Sequence, residues 1–254
     1  MRARGTVLML EARGGGTLMT DMKTGRLLAG VALSIGLFSG VASANESAMK
    51  AAADPNGWGM YSKGYDGTRF STLKQIDASN VKNLKLVYSF SLASLRSNES
   101  SPLVIGDTMY VTSSWGPKYV YALDAATGAR KWTYEPDIPD DVLQFACCDV
   151  NNRGVTFADG MLFVGRLDGR MVALDANTGK EVWKTTVIDY KQGSVITSPP
   201  LVVKDKVIIG YGGGEYGVRG SLQAFDLKTG KEVWRTYTVP LKAEANGDTW
   251  KGDS

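Results

Sequence analysis

One sequence pattern occurs three times in the chain, as YVYALDAATGARKW (119–132), RMVALDANTGKEVW (170–183) and SLQAFDLKTGKEVW (221–234). The tryptophans that end these stretches, Trp132, Trp183 and Trp234, are separated by 51 residues in both intervals. A period near 50 residues is typical of repeat architectures, in which one supersecondary unit recurs and buries its apolar face against its neighbours. We therefore expect the fold to follow from the unit and its repetition.

Each repeat has the pattern of four β-strands. The stretches PLVIGDTMYVTS, GVTFADGMLFVG and PPLVVKDKVIIG are apolar runs broken by Gly-Asp, Asp-Gly or Lys-Asp, which predicts a hairpin in each. The Asp-x-x-Thr-Gly turn then joins a third strand to a fourth, with glycine free to adopt positive φ. The sequence therefore predicts an all-β fold, a β-propeller of four-stranded blades with Trp-ended repeats.

We interpret the tryptophans as structural rings wedged between adjacent blades, each burying about 150–250 Å². A closed propeller takes about four to eight blades, and three repeats are too few to close one. The chain ends in the polar stretch NGDTWKGDS instead of a blade. We therefore expect the sequence to be part of a longer propeller.

The N-terminus has the layout of an export signal. A stretch that begins at Met22 has two basic residues, an apolar run over 27–38 and the small residues Ala42-Ser43-Ala44. The run is shorter than the roughly 20 residues that a transmembrane helix needs, so an integral membrane protein is not expected. We divide the chain into an N-terminal extension and signal peptide, 1–44, cleaved after Ala44, and a partial propeller domain, 45–254, exported to the periplasm.

Charge and composition exclude several function classes. The leader holds five of the 29 basic and two of the 26 acidic residues, so 24 of each sign remain, and nucleic-acid binding has no electrostatic support. The chain has no histidine. This excludes a zinc site of the Cys/His kind, a Ser-His-Asp triad and a Cys-x-x-Cys-His haem attachment within these residues.

Four segments should meet at one end of the blades. Residues 97–100, 147–153 and 193–198 each precede a first strand, and residues 211–220 lie between a second and a third strand. Because the first two strands of a blade are antiparallel, all four segments should share one rim. Their chemically distinctive side chains belong to Glu99, Cys147, Cys148, Arg153, Thr197 and Glu215.

Cys147 and Cys148 are the only cysteines, and they are neighbours. A disulfide between them would be strained, since consecutive Cα atoms lie about 3.8 Å apart and disulfides usually span about 4.4–6.8 Å. It would also close too short a loop to stabilise the fold. The pair is therefore either two inert buried thiols or a local flat surface, and export to an oxidising compartment favours the bridge.

The rim side chains suit a planar, multiply anionic ligand. A disulfide ring would offer a flat surface for stacking, Arg153 can pair with carboxylates, and Thr197 can donate a hydroxyl hydrogen bond. Glu215 supplies hard oxygen atoms for a divalent cation, and the three glycines before it allow a close approach of the backbone.

The motifs ACCDVNNRG (146–154), GGGEYGVRG (212–220) and RSNESSP (96–102), with the Trp-ended repeats, resemble the pyrroloquinoline-quinone (PQQ)-dependent alcohol dehydrogenases, the methanol and ethanol dehydrogenase group. The resemblance runs from about Asn56 to the end. It implies an eight-bladed periplasmic propeller, of which this chain covers about the first half, with PQQ and a calcium or lanthanide ion on its axis.

The resemblance also assigns roles to residues. It implies that Cys147 and Cys148 form a disulfide covering one face of the quinone. Arg153 would contact one of its acidic or carbonyl oxygens, Glu99 would hydrogen-bond its edge, and Thr197 would bind a carboxylate.

In the same way, Gly213 and Gly214 would offer backbone contacts, and Glu215 would ligate the metal. The catalytic aspartate, a metal-binding asparagine and a tryptophan under the quinone are expected beyond Ser254, so this chain alone would be inactive. Tyr88 stands where the earliest blade-end tryptophan of the family is usual, which we interpret as a tolerated aromatic exchange.

The implied function is oxidation of a primary alcohol to an aldehyde by hydride transfer to metal-bound PQQ, with electrons passed to cytochrome c. A homodimer is left open. The alternative is a non-catalytic periplasmic propeller scaffold that binds protein partners, as in outer-membrane assembly propellers with the same Trp-ended repeat. Such a scaffold needs no vicinal cysteines, rim arginine or metal carboxylate.

Overall fold

The structure, a computed structural model, describes residues 45–115, 119–147, 149–249 and 251. The predicted signal peptide and its cleavage position lie outside these residues. Within them, twelve strands form three four-stranded antiparallel sheets, each built from consecutive strands. The strands are β1 Leu103–Ile105, β2 Thr108–Thr112, β3 Val120–Asp124, β4 Arg130–Tyr134, β5 Thr156–Ala158, β6 Met161–Gly165, β7 Arg170–Asp175, β8 Glu181–Thr186, β9 Leu201–Val203, β10 Lys206–Gly210, β11 Ser221–Asp226 and β12 Glu232–Tyr237.

The three sheets confirm the predicted blades. Blade 1 is β1–β4, blade 2 is β5–β8 and blade 3 is β9–β12, with the predicted hairpin turn between the first two strands of each. The described part of the chain also has the helix α1 and five short 3₁₀ turns. Their bounds are Glu46–Ala53 for α1, and Val81–Asn83, Asp140–Gln144, Tyr190–Gln192, Gly214–Tyr216 and Gly247–Thr249 for the turns.

The Asp-x-x-Thr-Gly turn is held by its own aspartate. In blade 2, Asp175 Oδ1 accepts hydrogen bonds from the backbone N–H and the hydroxyl of Thr178, both at 2.8 Å. The N–H of Gly179, at a φ of 71°, donates to the Asp175 carbonyl at 2.8 Å. Blades 1 and 3 repeat these contacts around Asp124 and Asp226.

The tryptophans join adjacent blades, as predicted. Trp132 Nε1 donates to the carbonyl of Ala176 in blade 2 at 3.0 Å, and its ring lies against Gly179, where a Cβ atom would fall 2.5 Å from ring atom Cε3. Trp183 makes the same two contacts with Leu227, at 2.9 Å, and with Gly230 of blade 3. Because the turn glycine has no side chain, it also leaves room for the tryptophan ring.

Tyr88 occupies the equivalent position before blade 1. Its hydroxyl donates to the carbonyl of Ala125 at 3.1 Å, and its ring lies against Gly128. Ala125 precedes Ala176 by the same 51 residues that separate Ala176 from Leu227. The aromatic exchange at Tyr88 therefore keeps both the ring contact and the polar contact to the next blade.

The apolar core lies between the blades and follows the two-residue period of the strands. In β6, Leu162 and Val164 belong to the cluster shared with blade 1, whereas Phe163 belongs to the cluster shared with blade 3. In β7, Val172 and Leu174 likewise face the first cluster. Strands β6 and β7 of blade 2 are therefore buried on both faces, which is why their sequences are almost continuously apolar.

Helix α1 was not predicted, because it lies outside the repeat. Asn45 caps it: Oδ1 accepts from the Ala48 N–H at 3.0 Å, and Nδ2 donates to the Lys204 carbonyl at 3.1 Å. Ala48 is fully buried in the core between blades 2 and 3. The capping asparagine was the available sequence signal.

Among the described residues, no helix is long and apolar enough to cross a bilayer.

Replacing Trp183 by alanine should lower the free energy of unfolding by about 3 kcal/mol, because ring contacts and a hydrogen bond to blade 3 are lost together. Trp183→Phe should lose about 1 kcal/mol, the hydrogen-bond share. Val182→Ala is the matched control, since Val182 lies on the same strand and is 51% exposed, and it should change stability by less than about 1 kcal/mol. Urea unfolding followed by far-UV circular dichroism measures all three. Equal losses at Trp183 and Val182 would contradict the docking role.

Acid should weaken the blade turns. The pKa values of Asp124, Asp175 and Asp226 lie below the ordinary value of 3.8, chiefly because a threonine hydroxyl donates to each ionised carboxylate. A lowered folded-state pKa gives stability that is present above pH 3.8 and is lost as the pH falls through the folded-state pKa. In a variant with asparagine at all three positions, the urea midpoint of unfolding should change less between pH 7 and pH 3 than it does in the unaltered protein. An unchanged difference would refute the assignment.

Candidate functional site

The segments that enter the three blades lie side by side, as predicted. The Ser101 N–H donates to the Arg153 carbonyl at 3.2 Å, and the Arg153 N–H donates to the Thr197 carbonyl at 2.9 Å. The loop between β10 and β11 joins them, because the Gly212 N–H donates to the Val195 carbonyl at 3.0 Å. All four predicted rim segments are therefore neighbours.

Arg153 also links the segments through its side chain. Its Nη2 lies 2.7 Å from Glu99 Oε2, and its Nη1 donates to Thr197 Oγ1 at 2.7 Å. The side chains of Arg153 and Glu99 are 36% and 46% exposed, so the ion pair adds little to stability. Its effect is to orient the guanidinium group, which joins three blades at one point.

A cleft of about 200 Å³ opens between these segments. Five of the predicted site residues line it: Cys147, Arg153, Thr197, Gly213 and Glu215. Glu99 reaches the cleft through its ion pair with Arg153. We predicted that the vicinal cysteines, Arg153 and Glu215 share one rim. Cys147, Arg153 and Glu215 do lie at this one cleft.

Two predicted site residues are not among those described at the cleft. Gly214 begins the 3₁₀ turn that carries Glu215, and nothing lies within 4 Å of the position that its Cβ would take. Cys148 lies outside the described residues, so the disulfide with Cys147 stays a prediction. Cys147 itself is exposed.

The loop that carries Glu215 needs glycine at Gly213. Gly213 has a φ of 142°, and a Cβ there would lie 2.7 Å from the Gly193 carbonyl oxygen and 2.8 Å from Ser194 Oγ. The backbone therefore packs directly on the segment that enters blade 3. Glu215 is exposed at the cleft. The described residues contain no group of three or more acidic, cysteine or histidine side chains able to hold a metal ion.

Sequence reasoning missed a second contact between the first two segments. Arg96 Nη1 lies 2.9 Å from Asp149 Oδ1, and the Ser97 N–H donates to Asp149 Oδ2 at 3.2 Å. The Arg96 hydrogen bond is the largest cause of a lowered pKa at Asp149. Ser97 Oγ lies 2.8 Å from Asn151 Oδ1. Asp149 directly follows the cysteines, and that position was the only sequence signal for its role.

A protein-family model described as the PQQ-dependent glucose, ethanol and alcohol dehydrogenase β-propeller domain matches residues 58–254. The chain belongs to this family. It spans about a third of the length of the curated relatives that it matches. This match confirms the resemblance inferred from the motifs around Cys147 and Glu215.

The relatives in this family are similar over most of this chain. The lanthanide-dependent methanol dehydrogenase of Methylacidiphilum fumariolicum (strain SolV) is 48% identical over 218 residues, 85% of this chain and 35% of that protein. The quinohemoprotein alcohol dehydrogenase of Comamonas testosteroni is 48% identical over 184 residues, 72% of this chain and 26% of that protein. A solved europium-containing methanol dehydrogenase superposes with a TM-score of 0.75 at 48% identity, covering 78% of this chain and 34% of that one.

Gly213→Ala should open the loop that carries Glu215, because the new Cβ would meet the Gly193 carbonyl and the φ disfavours any side chain. Hydrogen exchange of peptides covering residues 211–217 should become at least about tenfold faster, a local loss of about 1–3 kcal/mol. Gly214→Ala is the matched control, with open space at its Cβ. Equal exchange in both variants would show that close packing at Gly213 is unimportant.

Proposed function

We propose that this chain is part of a PQQ-dependent alcohol dehydrogenase that oxidises a primary alcohol to an aldehyde. The observation that carries the proposal is the shared cleft, which is lined by Cys147 and Arg153 from the segment that enters blade 2 and by Thr197 and Glu215 from two segments of blade 3. Membership of the dehydrogenase family supports it. A scaffold propeller has no need for this combination.

The residues present fit the quinone by their chemistry. The quinone is flat and carries several carboxylates. Arg153 has five N–H donors in a planar group, and Thr197 lies within hydrogen-bond distance of it, so both can serve one carboxylate of a ligand. Gly213 has a positive φ and no side chain, so its backbone forms part of the cleft wall and is open to a ligand. Cys147, bonded to Cys148, would cover one face of the ring.

The charge of the cleft fits a metal ion. Arg153 is already paired with Glu99, and Asp149 with Arg96, so Glu215 leaves a formal charge of −1 among these five groups. An anionic ligand therefore needs a multivalent cation beside it. Glu215 would supply hard oxygen ligands for calcium or a lanthanide. The catalytic aspartate and the remaining metal ligands would come from outside this chain.

When bound, the metal-activated quinone supplies the two-electron acceptor that the alcohol requires. The residues of this chain hold and orient it. Arg153 and Thr197 fix a carboxylate edge, Glu99 fixes the arginine, and Glu215 fixes the metal. Because these groups come from separate blades, their mutual distances depend on the blade docking.

We further propose that the protein is exported to the periplasm, with cleavage after Ala44, and that cytochrome c accepts its electrons. The apolar run over 27–38 and the small residues before position 45 support export. A relative, the 1-butanol dehydrogenase (cytochrome c) of Thauera butanivorans, is 51% identical over 166 residues, which supports the electron acceptor.

The test is metal-dependent quinone binding and turnover. The full-length protein, loaded with PQQ and either Ca²⁺ or La³⁺, should oxidise primary alcohols with an artificial dye as acceptor. Quinone retained after gel filtration should require the metal. Glu215→Gln should weaken metal-dependent retention at least about tenfold, since a ligand carboxylate is lost.

Glu232→Gln is the matched control, because Glu232 is ion-paired with Arg235 on the outer strand of blade 3. It should leave retention unchanged. If neither metal supports quinone retention or alcohol oxidation, the enzyme proposal fails and the scaffold alternative is favoured.

A further inference from the structure

Asn152 lies between two residues that line the cleft but faces the other way. Asn151 and Arg153 both line the cleft, whereas Asn152 is only 1% exposed. The hydrogen bonds of the Asn152 side chain, to Gly165 and Tyr119, direct it into the interior. The buried side chain is thus directly behind the guanidinium-bearing residue.

The side chain of Asn152 holds this segment against two blades. Its Nδ2 donates to the carbonyl of Gly165, at the end of β6 in blade 2, at 2.8 Å. The same atom donates to the hydroxyl of Tyr119, beside β3 of blade 1, at 3.1 Å. Its Oδ1 accepts from the Gly154 N–H at 2.9 Å. Both ends of the amide are therefore bonded, which is what a buried amide requires.

The partners of Asn152 are themselves buried. Tyr119 is fully buried, and burial is the main cause that raises its pKa to about 12, so its hydroxyl stays neutral at physiological pH. Arg166, which follows Gly165, is 1% exposed and lies 2.7 Å from Asp168. Asn152 thus joins the segment to the buried interior between blades 1 and 2.

We propose that Asn152 is a positioning residue that acts through Arg153. The inference rests on the proposed function for its consequence in quinone binding, but its structural part concerns the arginine alone. Both the N–H and the carbonyl of Arg153 pair with the neighbouring segments, so a shift of residue 152 moves the backbone that carries the guanidinium group. Removing the residues that orient the ligands of a metal site typically costs about 10–100-fold in affinity or activity, and we expect a loss of that size here.

The first experiment needs no quinone. In ¹⁵N-labelled protein, the Nε–H signal of Arg153 is assigned with Arg153→Lys. Ion pairing to Glu99 and hydrogen bonding to Thr197 should hold the group in one arrangement and give a distinct signal. In Asn152→Ala this signal should move to the position of free arginine side chains. Asn177→Ala, the same change in an exposed blade turn, should leave it unmoved.

The second experiment compares quinone affinities in a double-mutant cycle, measured well below the unfolding temperature. Asn152→Ala should weaken PQQ binding about 10–100-fold. In protein that already carries Arg153→Ala, the additional change Asn152→Ala should weaken PQQ binding by no more than about threefold. The two losses overlap because both residues act through the Arg153 guanidinium group. Val207→Ala, a buried change in blade 3, controls for lost stability and should leave affinity unchanged.

If Asn152→Ala fails to fold, Tyr119→Phe removes one of its partners with little change of shape and should shift the Arg153 signal in the same direction by a smaller amount. An unmoved Arg153 signal in a folded variant, or fully additive losses in the cycle, would overturn the proposal. If the unaltered protein does not bind PQQ, the proposed function fails, and the Arg153 signal alone then decides the positioning role.

Discussion

The structure depends on one recurrent contact, in which an aromatic ring that ends one blade lies against the turn glycine of the next. The ring also donates a hydrogen bond to a backbone carbonyl of that blade, and the pairs Tyr88–Ala125, Trp132–Ala176 and Trp183–Leu227 are equivalent. A Cβ atom on the glycine would overlap the ring, so the ring packs directly on the glycine backbone. The distance between the ring and the next blade can therefore vary little. Each blade is therefore positioned by the blade before it. A shift of one blade would also displace the residues that line the cleft.

The site is a consequence of this regular placement. The segments that enter successive blades arrive next to each other, so the backbone of Arg153 pairs with Ser101 on one side and with Thr197 on the other. The chemistry lies on these irregular segments, which tolerate polar and glycine residues, while the strands supply the fixed frame. A single side chain, Arg153, then contacts groups from blades 1 and 3.

The sequence was informative where structure depends on local pattern and period. The 51-residue interval, the hairpin pairs and the Asp-x-x-Thr-Gly turn predicted all three blades, and antiparallel topology predicted the shared rim. Contacts such as Arg96–Asp149 could not be predicted, because they depend on the register between segments about 50 residues apart. Helix α1 was missed because it lies outside the repeat. Its local signal was the capping Asn45, whereas the contact of Asn45 with the distant Lys204 carbonyl has no trace in the local sequence.

The pairing of charges at the cleft has a thermodynamic consequence. Glu99 satisfies Arg153 and Arg96 satisfies Asp149, so the positive groups of the described site are already partly neutralised, and Glu215 adds a further negative charge. An anionic quinone entering this cleft gains little net attraction from the protein alone. In the proposed function, a multivalent cation at Glu215 would reverse the sign of the local field, so metal and quinone would each raise the affinity for the other. Because such coupling is reciprocal, the Glu215 carboxylate would then control the binding of a ligand held chiefly by residues of other segments.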